Sequence, residues 1–426
     1  QPIDQDLTDS QKQFLSDLGD NLDSAYIPRI DSVGYSDIGV RYKKKDTLGY
    51  AIYEYSADSG LFTVAFSQMT QGGGNYIQDV NTVANGRVFK WVPPDTVNGS
   101  LVLNGSYQPV VLIISPKKKQ MLTFGGSYRF SKNTIGSFET AVSSNDLNTF
   151  STKDDNDNTG IAYKMNFQHT LALSNSELNP WQLKSTFGYE QVEKRFTPVE
   201  RFRPVEFDRD WNLSGIQPAD NEYIPSAGLE VLKKDFGSVQ YGFKSFIKGD
   251  QYSGYNNSAS VNINKRGFQT ILNGSLLKSS SSLSKSMFIR SRGVLSKTIK
   301  WLVVGVGEEQ EKNIINYGSS DSLMMNSYEF YDWNLFMRSV DTAKNRVGVS
   351  YGQRTDLTPV NNGLKELTVG ENVKFTLDLM KRPNSVFTGN ITYRKLSIKD
   401  PLRTSIKPDE SLISRVEYRL VLLKGS

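Results

Sequence analysis

The chain has no cysteine and a single histidine, His169. Disulfide staples and thiolate metal sites are thereby excluded, and one imidazole cannot build a transition-metal centre unaided. No run of about 18 apolar residues occurs, which excludes a helical membrane protein. Charge of one sign is scarce too: the net charge is +5, from 50 Lys and Arg against 45 Asp and Glu, and the basic residues are dispersed. A nucleic-acid binder would gather them on one face or arm. The sequence also lacks a Gly-x-Ser-x-Gly elbow and a His-Glu-x-x-His pair. Its Gly72–Gly74 run is neither closed by Lys-Ser/Thr nor followed by a helix, so it reads as a turn. The expectation is a protein that is not an enzyme.

Aromatic residues are plentiful, with 21 Tyr, 22 Phe and 5 Trp, while the hydrophobic fraction is only 37%. That combination suits a sheet in which every second residue must be apolar. The stretch from Gly160 to Phe196 displays the rule. Ile161, Tyr163, Met165, Phe167, Leu171 and Leu173 alternate with Ala162, Lys164, Asn166, Gln168 and Thr170, the two-residue period of a strand. After the polar turn Ser174 to Pro180, Trp181, Leu183, Phe187 and Tyr189 alternate with Gln182, Lys184, Thr186 and Glu190. These strands are about twice the usual length of 5–6 residues. A long apolar face of this kind needs either a second sheet or lipid hydrocarbon as its partner.

The pattern continues to the end of the chain and predicts about fifteen strands from Met121 to Leu423. Their connections alternate in length. Short turns are expected at 132–134, 235–237, 265–267, 297–300, 341–345 and 381–384, and longer polar loops at 145–159, 197–225, 249–258, 278–285, 309–323, 354–366 and 399–411. Tight turns on one rim and extended loops on the other are the habit of outer-membrane barrels. Trp181, Trp301, Phe268, Phe387 and Tyr328 fall near strand ends, as an aromatic girdle requires. The opposite parity carries Lys184, Glu230, Lys244, Asp378, Arg394 and Arg415 among others, charges that must face water rather than a dry core.

Residues 1–45 read as a polar linker or a short helix, with Thr8 and Gln11 forming a capping box and Gly19 a stop. Residues 46–116 read as a small β-rich domain, and 117–426 as antiparallel barrel strands. The chain opens on Gln1 and Pro2, as a processed product would, and its last strand lacks a terminal aromatic, so continuation past residue 426 is expected.

Two segments are candidate sites. In 154–160, Asp155, Asp157 and Thr159 occupy alternate positions with Gly160 at the sixth, like a calcium loop, although Asn166 stands where a bidentate Glu belongs. Ca2+ is the only cofactor so indicated. In 200–212, Arg201, Arg203 and Arg209 interleave with acids and aromatics up to Trp211. This is a binding-loop candidate, held by charge pairs and aromatic packing, that folds into a lumen or caps its rim.

The phrases Glu200 to Asn212, Asn148 to Ser151 with Asn158 to Gly160, Gly86 to Val92, and Ser414 to Tyr418 resemble those of large exported β-rich outer-envelope proteins of Bacteroidota. The resemblance runs from about Tyr50 onward and implies a location and a barrel-like architecture, without catalytic residues.

The fold class expected is all-β, a large antiparallel up-and-down transmembrane β-barrel or part of one, with a small N-terminal β-rich domain. The function expected is transport, secretion or assembly at the outer membrane of a Gram-negative bacterium. Its partners would be the lipid bilayer, lipopolysaccharide and other envelope proteins, with no nucleic acid. Two alternatives stay open: a soluble secreted β-sandwich or solenoid serving adhesion or scaffolding, and a subunit of a multiprotein translocation machine.

Overall fold

The computed structural model describes residues 6–36, 38–69, 73–82, 84–97, 100–176, 178–213, 219–382, 385–399 and 408–420. The chain divides into two compact units, 1–120 with 144–158, and 121–143 with 159–426.

The first unit begins with helix α1, Asp9–Leu18, because Thr8 and Gln11 satisfy each other's backbone amides in a reciprocal cap. The helix buries Leu15 against Ala25 and Ile113. Its end is held by Asn148, which has no exposed surface and donates from Nδ2 to the carbonyls of Leu15, 2.8 Å, and Gly19, 2.7 Å. Two four-stranded sheets follow. One pairs Ile30–Ser32, Phe62–Val64, Tyr42–Thr47 and Tyr50–Tyr55; the other pairs Ser67–Gln68, Tyr107–Gln108, Tyr76–Asp79 and Val88–Trp91. Phe66 joins them by stacking on Phe89 at 4.6 Å and meeting Tyr76 at 4.8 Å and Tyr42 at 5.3 Å. Such ring pairs add to the area they bury. Of the Gly72–Gly74 run, Gly72 lies outside the described residues, and Gly74 bridges Gly105.

The second unit is one meander of fifteen strands: β1 Lys118–Ser131, β2 Thr134–Asp146, β3 Thr159–Ala172, β4 Gln182–Val192, β5 Glu222–Lys233, β6 Gly237–Lys248, β7 Tyr252–Lys265, β8 Phe268–Ser281, β9 Ser284–Ile299, β10 Leu302–Tyr317, β11 Tyr328–Ser339, β12 Arg346–Val360, β13 Gly363–Arg382, β14 Ser385–Ile398 and β15 Asp409–Leu420. Each pairs with its neighbours in sequence. Paired residues share a face, so the register carries the alternation across the sheet. Phe167 lies opposite Phe187, Phe187 opposite Ala227, and Ala227 opposite Phe243. One face is therefore apolar from β3 to β15 and the other polar.

Of the two forms expected, a whole barrel or part of one, the structure describes an open sheet: among the described residues β1 pairs only with β2 and β15 only with β14, and every residue of both edges is exposed. With an odd number of strands the two edges run in the same direction, so they cannot complete an antiparallel ladder with each other. One expectation is corrected: the long-loop rim is tighter than the sequence suggests. The connections at 249–258, 278–285 and 354–366 shrink to turns at 249–251, 282–283 and 361–362, and β10 runs on to Tyr317. The ladder persists through residues with no apolar side, Ser279 opposite Gly254 and Ser280 opposite Ser253, because backbone hydrogen bonds do not require an oily face. At Asn361 and Asn362, φ is 49° and 64°, the left-handed pair of a two-residue hairpin turn that Asn tolerates. Residues 383–384 and most of 399–411 lie outside the described residues, as do 421–423 of the last expected strand.

Burial pushes the Tyr42 phenol in the first unit up to about 12, although its oxygen accepts a hydrogen bond from the Phe89 amide at 3.0 Å. A raised phenol favours the fold while neutral. Its contribution, on the order of 2 kcal/mol, is complete below pH 10 and lost as pH rises from about 10 to about 12. Alkaline titration followed by tyrosinate absorbance and urea unfolding should show a loss smaller by this amount in Tyr42→Phe than in the wild type, because the buried Tyr76 phenol of the same unit is also raised and remains in both; equal losses would refute it.

Candidate functional site

The one cluster of fully buried apolar side chains in the second unit, among the described residues, lies on the sheet's polar face. Phe246, Tyr252, Leu277 and Phe288 come from β6, β7, β8 and β9, Ile224 from β5, and Phe207 and Trp211 from the connection between β4 and β5. That connection, residues 193–213, crosses the polar face as a strap. Its root is held by Ile161, which donates from its amide to Glu193 at 3.1 Å, and by Thr197, whose amide donates to Ser143 Oγ at 2.9 Å. The crossing is close enough to require glycine in the wall. A Cβ on Gly160 would lie 2.2 Å from the Phe196 nitrogen, and one on Gly254 would lie 2.9 Å from Trp211 Cε3.

Arg203 is the strap's electrostatic anchor. Its Nη2 meets Glu222 Oε2 at 2.9 Å and its Nη1 bonds Glu190, so it bridges two adjacent strands. The guanidinium sits over the rings of Phe202, 4.7 Å, and Phe207, 4.5 Å. Planarity lets one group stack and fork at once, which an ammonium could not do. Lys248 adds a contact to Glu222 at 3.9 Å. Further along, helix α2, Phe207–Asp210, presents Asp210 to Arg290 of β9 at 2.7 Å. Tyr252 donates its hydroxyl to the Trp211 carbonyl. Asn212 exchanges amide hydrogen bonds with Asn313 of β10, 3.1 and 2.9 Å, and donates to Ser286 at 2.8 Å.

Two clefts flank Arg203. One, about 500 Å³, is bounded by Lys164, Glu190, Lys244 and Phe196, and the other, also about 500 Å³, by Lys194, Asp208, Asp220 and Lys248. Both mix charges of opposite sign, and among the described residues neither brings a nucleophile and a base together.

The sequence-derived candidates fare differently. Trp211 and Arg203 are buried or clamped against the sheet. Arg201 instead staples the strap internally, donating to the carbonyls of Arg203, Pro204 and Val205 at 3.0–3.1 Å, and Arg209 makes exposed contacts to Glu206 and Asp210 at 3.4 and 3.6 Å. Asp155 and Asp157 belong to one 3-10 turn in the first unit, and Thr159 begins β3. Among the described residues no three carboxylate or imidazole groups converge to hold a metal ion. Partial burial and the nearby Asp146, Asp157, Asp154 and Asp155 raise the Asp20 carboxyl above its usual range. His169 bonds Thr134 Oγ1 through Nδ1 at 2.9 Å.

Sequence reasoning missed Glu190, Glu222 and the receiving residues Phe246, Leu277 and Phe288. Their signal was available: Phe246-Ile247, Leu276-Leu277 and Phe288-Ile289 are places where two adjacent apolar residues break the alternation. At these breaks the polar face also carries an apolar side chain, and there the strap covers it.

No family model matches the chain, and no match to it exists among the curated proteins or the solved structures.

Because Arg203 is mostly shielded and Arg209 about half exposed, Arg203→Ala should cost about 2–3 kcal/mol by stranding Glu190 and Glu222, and Arg209→Ala less than about 0.5 kcal/mol. Urea midpoints of the two variants decide it, and equal losses would contradict the assignment.

Proposed function

We propose that the fifteen-stranded sheet is the wall of a transmembrane β-barrel in a Gram-negative outer membrane, of the Bacteroidota type that the sequence resembles. It would serve passage, secretion or assembly and carry out no chemistry of its own. The observation that carries this reading is the uncovered apolar face. Phe167, Leu171, Phe187, Leu229, Val239 and Leu335 are between 44% and 51% exposed, or 54% for Phe187, with no second layer over them among the described residues. Soluble monomers expose apolar patches of roughly 300–600 Å², far less than such a face over fifteen strands.

The face is also bounded in the way a bilayer demands. On β10 it runs Leu302, Val304, Val306 and then turns to Glu308, Gln310 and Lys312; on β13 it runs Leu379, Leu377, Phe375, Val373 and then Glu371. Beyond the boundary same-face ion pairs occur, Lys312 with Glu329 at 2.9 Å and Lys395 with Glu371 at 3.9 Å. Aromatics mark the border, Tyr163 with Tyr189 at 6.0 Å and Trp333 with Tyr351 at 5.6 Å, while Trp301 and Phe268 lie toward the opposite rim. The apolar run is seven residues on β13, 373–379, and five on β10, 302–306, roughly 23 and 17 Å along the strand at about 3.3 Å per residue, a belt on the thin side of the ~25 Å apolar band of outer-membrane barrels.

On this reading lipid and lipopolysaccharide cover the apolar belt, and water and the strap cover the polar face. Since β1 and β15 run the same way, an antiparallel ring requires an odd number of strands besides these fifteen, and other envelope proteins are proposed neighbours. The secreted-sandwich alternative requires a layer over the apolar face.

Leu229→Arg on the apolar belt is expected to cost roughly 2–4 kcal/mol of membrane folding, and Gln240→Arg on the polar face close to none. Detergent-dependent extraction and heat-dependent gel mobility should be lost in the first and kept in the second. Solubility of the wild type in buffer without detergent would end the barrel reading.

A further inference from the structure

The strap places an apolar core where a water-filled lumen would have only polar side chains. The strands do not need it for their ladders, which continue well past it on both sides, and the edge strands do without any cover. Yet five strands each give up a polar-face position to receive it: Ile224, Phe246, Tyr252, Leu277 and Phe288. Arg203 is held at a cost, since its Nε is buried without a hydrogen-bond partner. Buried unpaired donors and partly desolvated charges are tolerated where position matters more than stability.

We propose that the strap, residues 193–213, is a fixed constriction on the lumenal face, and that Arg203 is the positioning residue that holds it there. The inference rests on the barrel reading and sharpens it. The surface offered to a passing solute is polar, because the two clefts beside the strap are lined by charges of both signs, among them Lys164, Glu190 and Lys244 on one side and Lys194, Asp208 and Asp220 on the other. The strap is anchored at its root by Glu193 and Thr197, in the middle by Arg203, and at its far end by Trp211 and Asn212. Three separated anchors make a rigid crossbar rather than a hinged lid.

The test uses the full protein in its own outer membrane, comparing wild type with Arg203→Ala, Arg203→Lys, Trp211→Ala and a variant in which 197–213 is replaced by a short Gly-Ser linker. Two quantities are read: tryptic cleavage after Arg201 and Arg209, which reports strap displacement, and influx of neutral hydrophilic dyes of graded size. Wild type should resist cleavage and exclude the larger dyes. Arg203→Ala, Trp211→Ala and the linker variant should admit them at least roughly tenfold faster, as a shift of 1.4 kcal/mol in the strap's occupancy would produce, with Arg203→Lys in between. A strap that is cleaved or removed while dye influx stays at the wild-type value would overturn the constriction. Resistance to cleavage in Arg203→Ala equal to wild type would overturn the role of Arg203. Failure of the barrel reading looks different, because all versions would then leave the membrane fraction without detergent.

Discussion

A β-strand sends successive side chains to opposite sides, and an antiparallel ladder obliges each neighbour to agree. That constraint governs the second unit. Once Phe167 is set opposite Phe187, and Phe187 opposite Ala227, a one-residue slip at any strand would transfer its whole apolar set to the polar side. The register holds from β3 to β15 with irregularities only near Asp356 and Met380. Everything else follows from the two unlike faces it creates: a belt without protein cover and a polar surface on which the chain lays one of its own connections.

The strap exploits the polar face by an exception to the alternation. Where Phe246, Leu277 and Phe288 turn inward, they form an oily landing site amid serine, lysine and glutamate, and Phe207 and Trp211 fill it. Hydrophobic burial supplies most of the adhesion, since fully burying two aromatic side chains is worth several kcal/mol. The polar contacts supply position. A guanidinium held between two carboxylates and two rings has one place to sit, whereas apolar rings could slide. Adhesion and alignment are thus divided between different side chains of one short segment.

The first unit obeys another economy. Its strands have two to six residues each and no continuous face, so it relies on interlocked rings around Phe66 and on one buried amide. Asn148 ties the segment 144–158 to the end of helix α1 by satisfying two carbonyls that the helix itself leaves open. The carboxylates gathered near Asp20 oppose this arrangement electrostatically, so the segment is kept in place by hydrogen bonds and packing.

Local periodicity and side-chain reach were enough to read the chain as all-β, to count about fifteen long strands with one apolar face, and to offer Thr8 as the cap of a short helix beside the alternative of a polar linker. The sequence also marked 200–212 as unusual, though it ranked Arg201, Arg203 and Arg209 alike. The folded arrangement was needed to show that Arg203 alone of these bridges strands, that Glu190, Glu222 and Asn313 belong to the same site, and that Ser279 to Ser281 continue a ladder instead of forming a loop. Partners more than ten residues apart, as Arg203 is from Glu190 and Glu222, are brought together by strand register and by the path of the strap, and no local pattern encodes either. The open edges are likewise a tertiary fact: an odd count of meandering strands already sets the two ends in the same direction, but that each end strand pairs on one side alone, among the described residues, is seen only in the folded sheet.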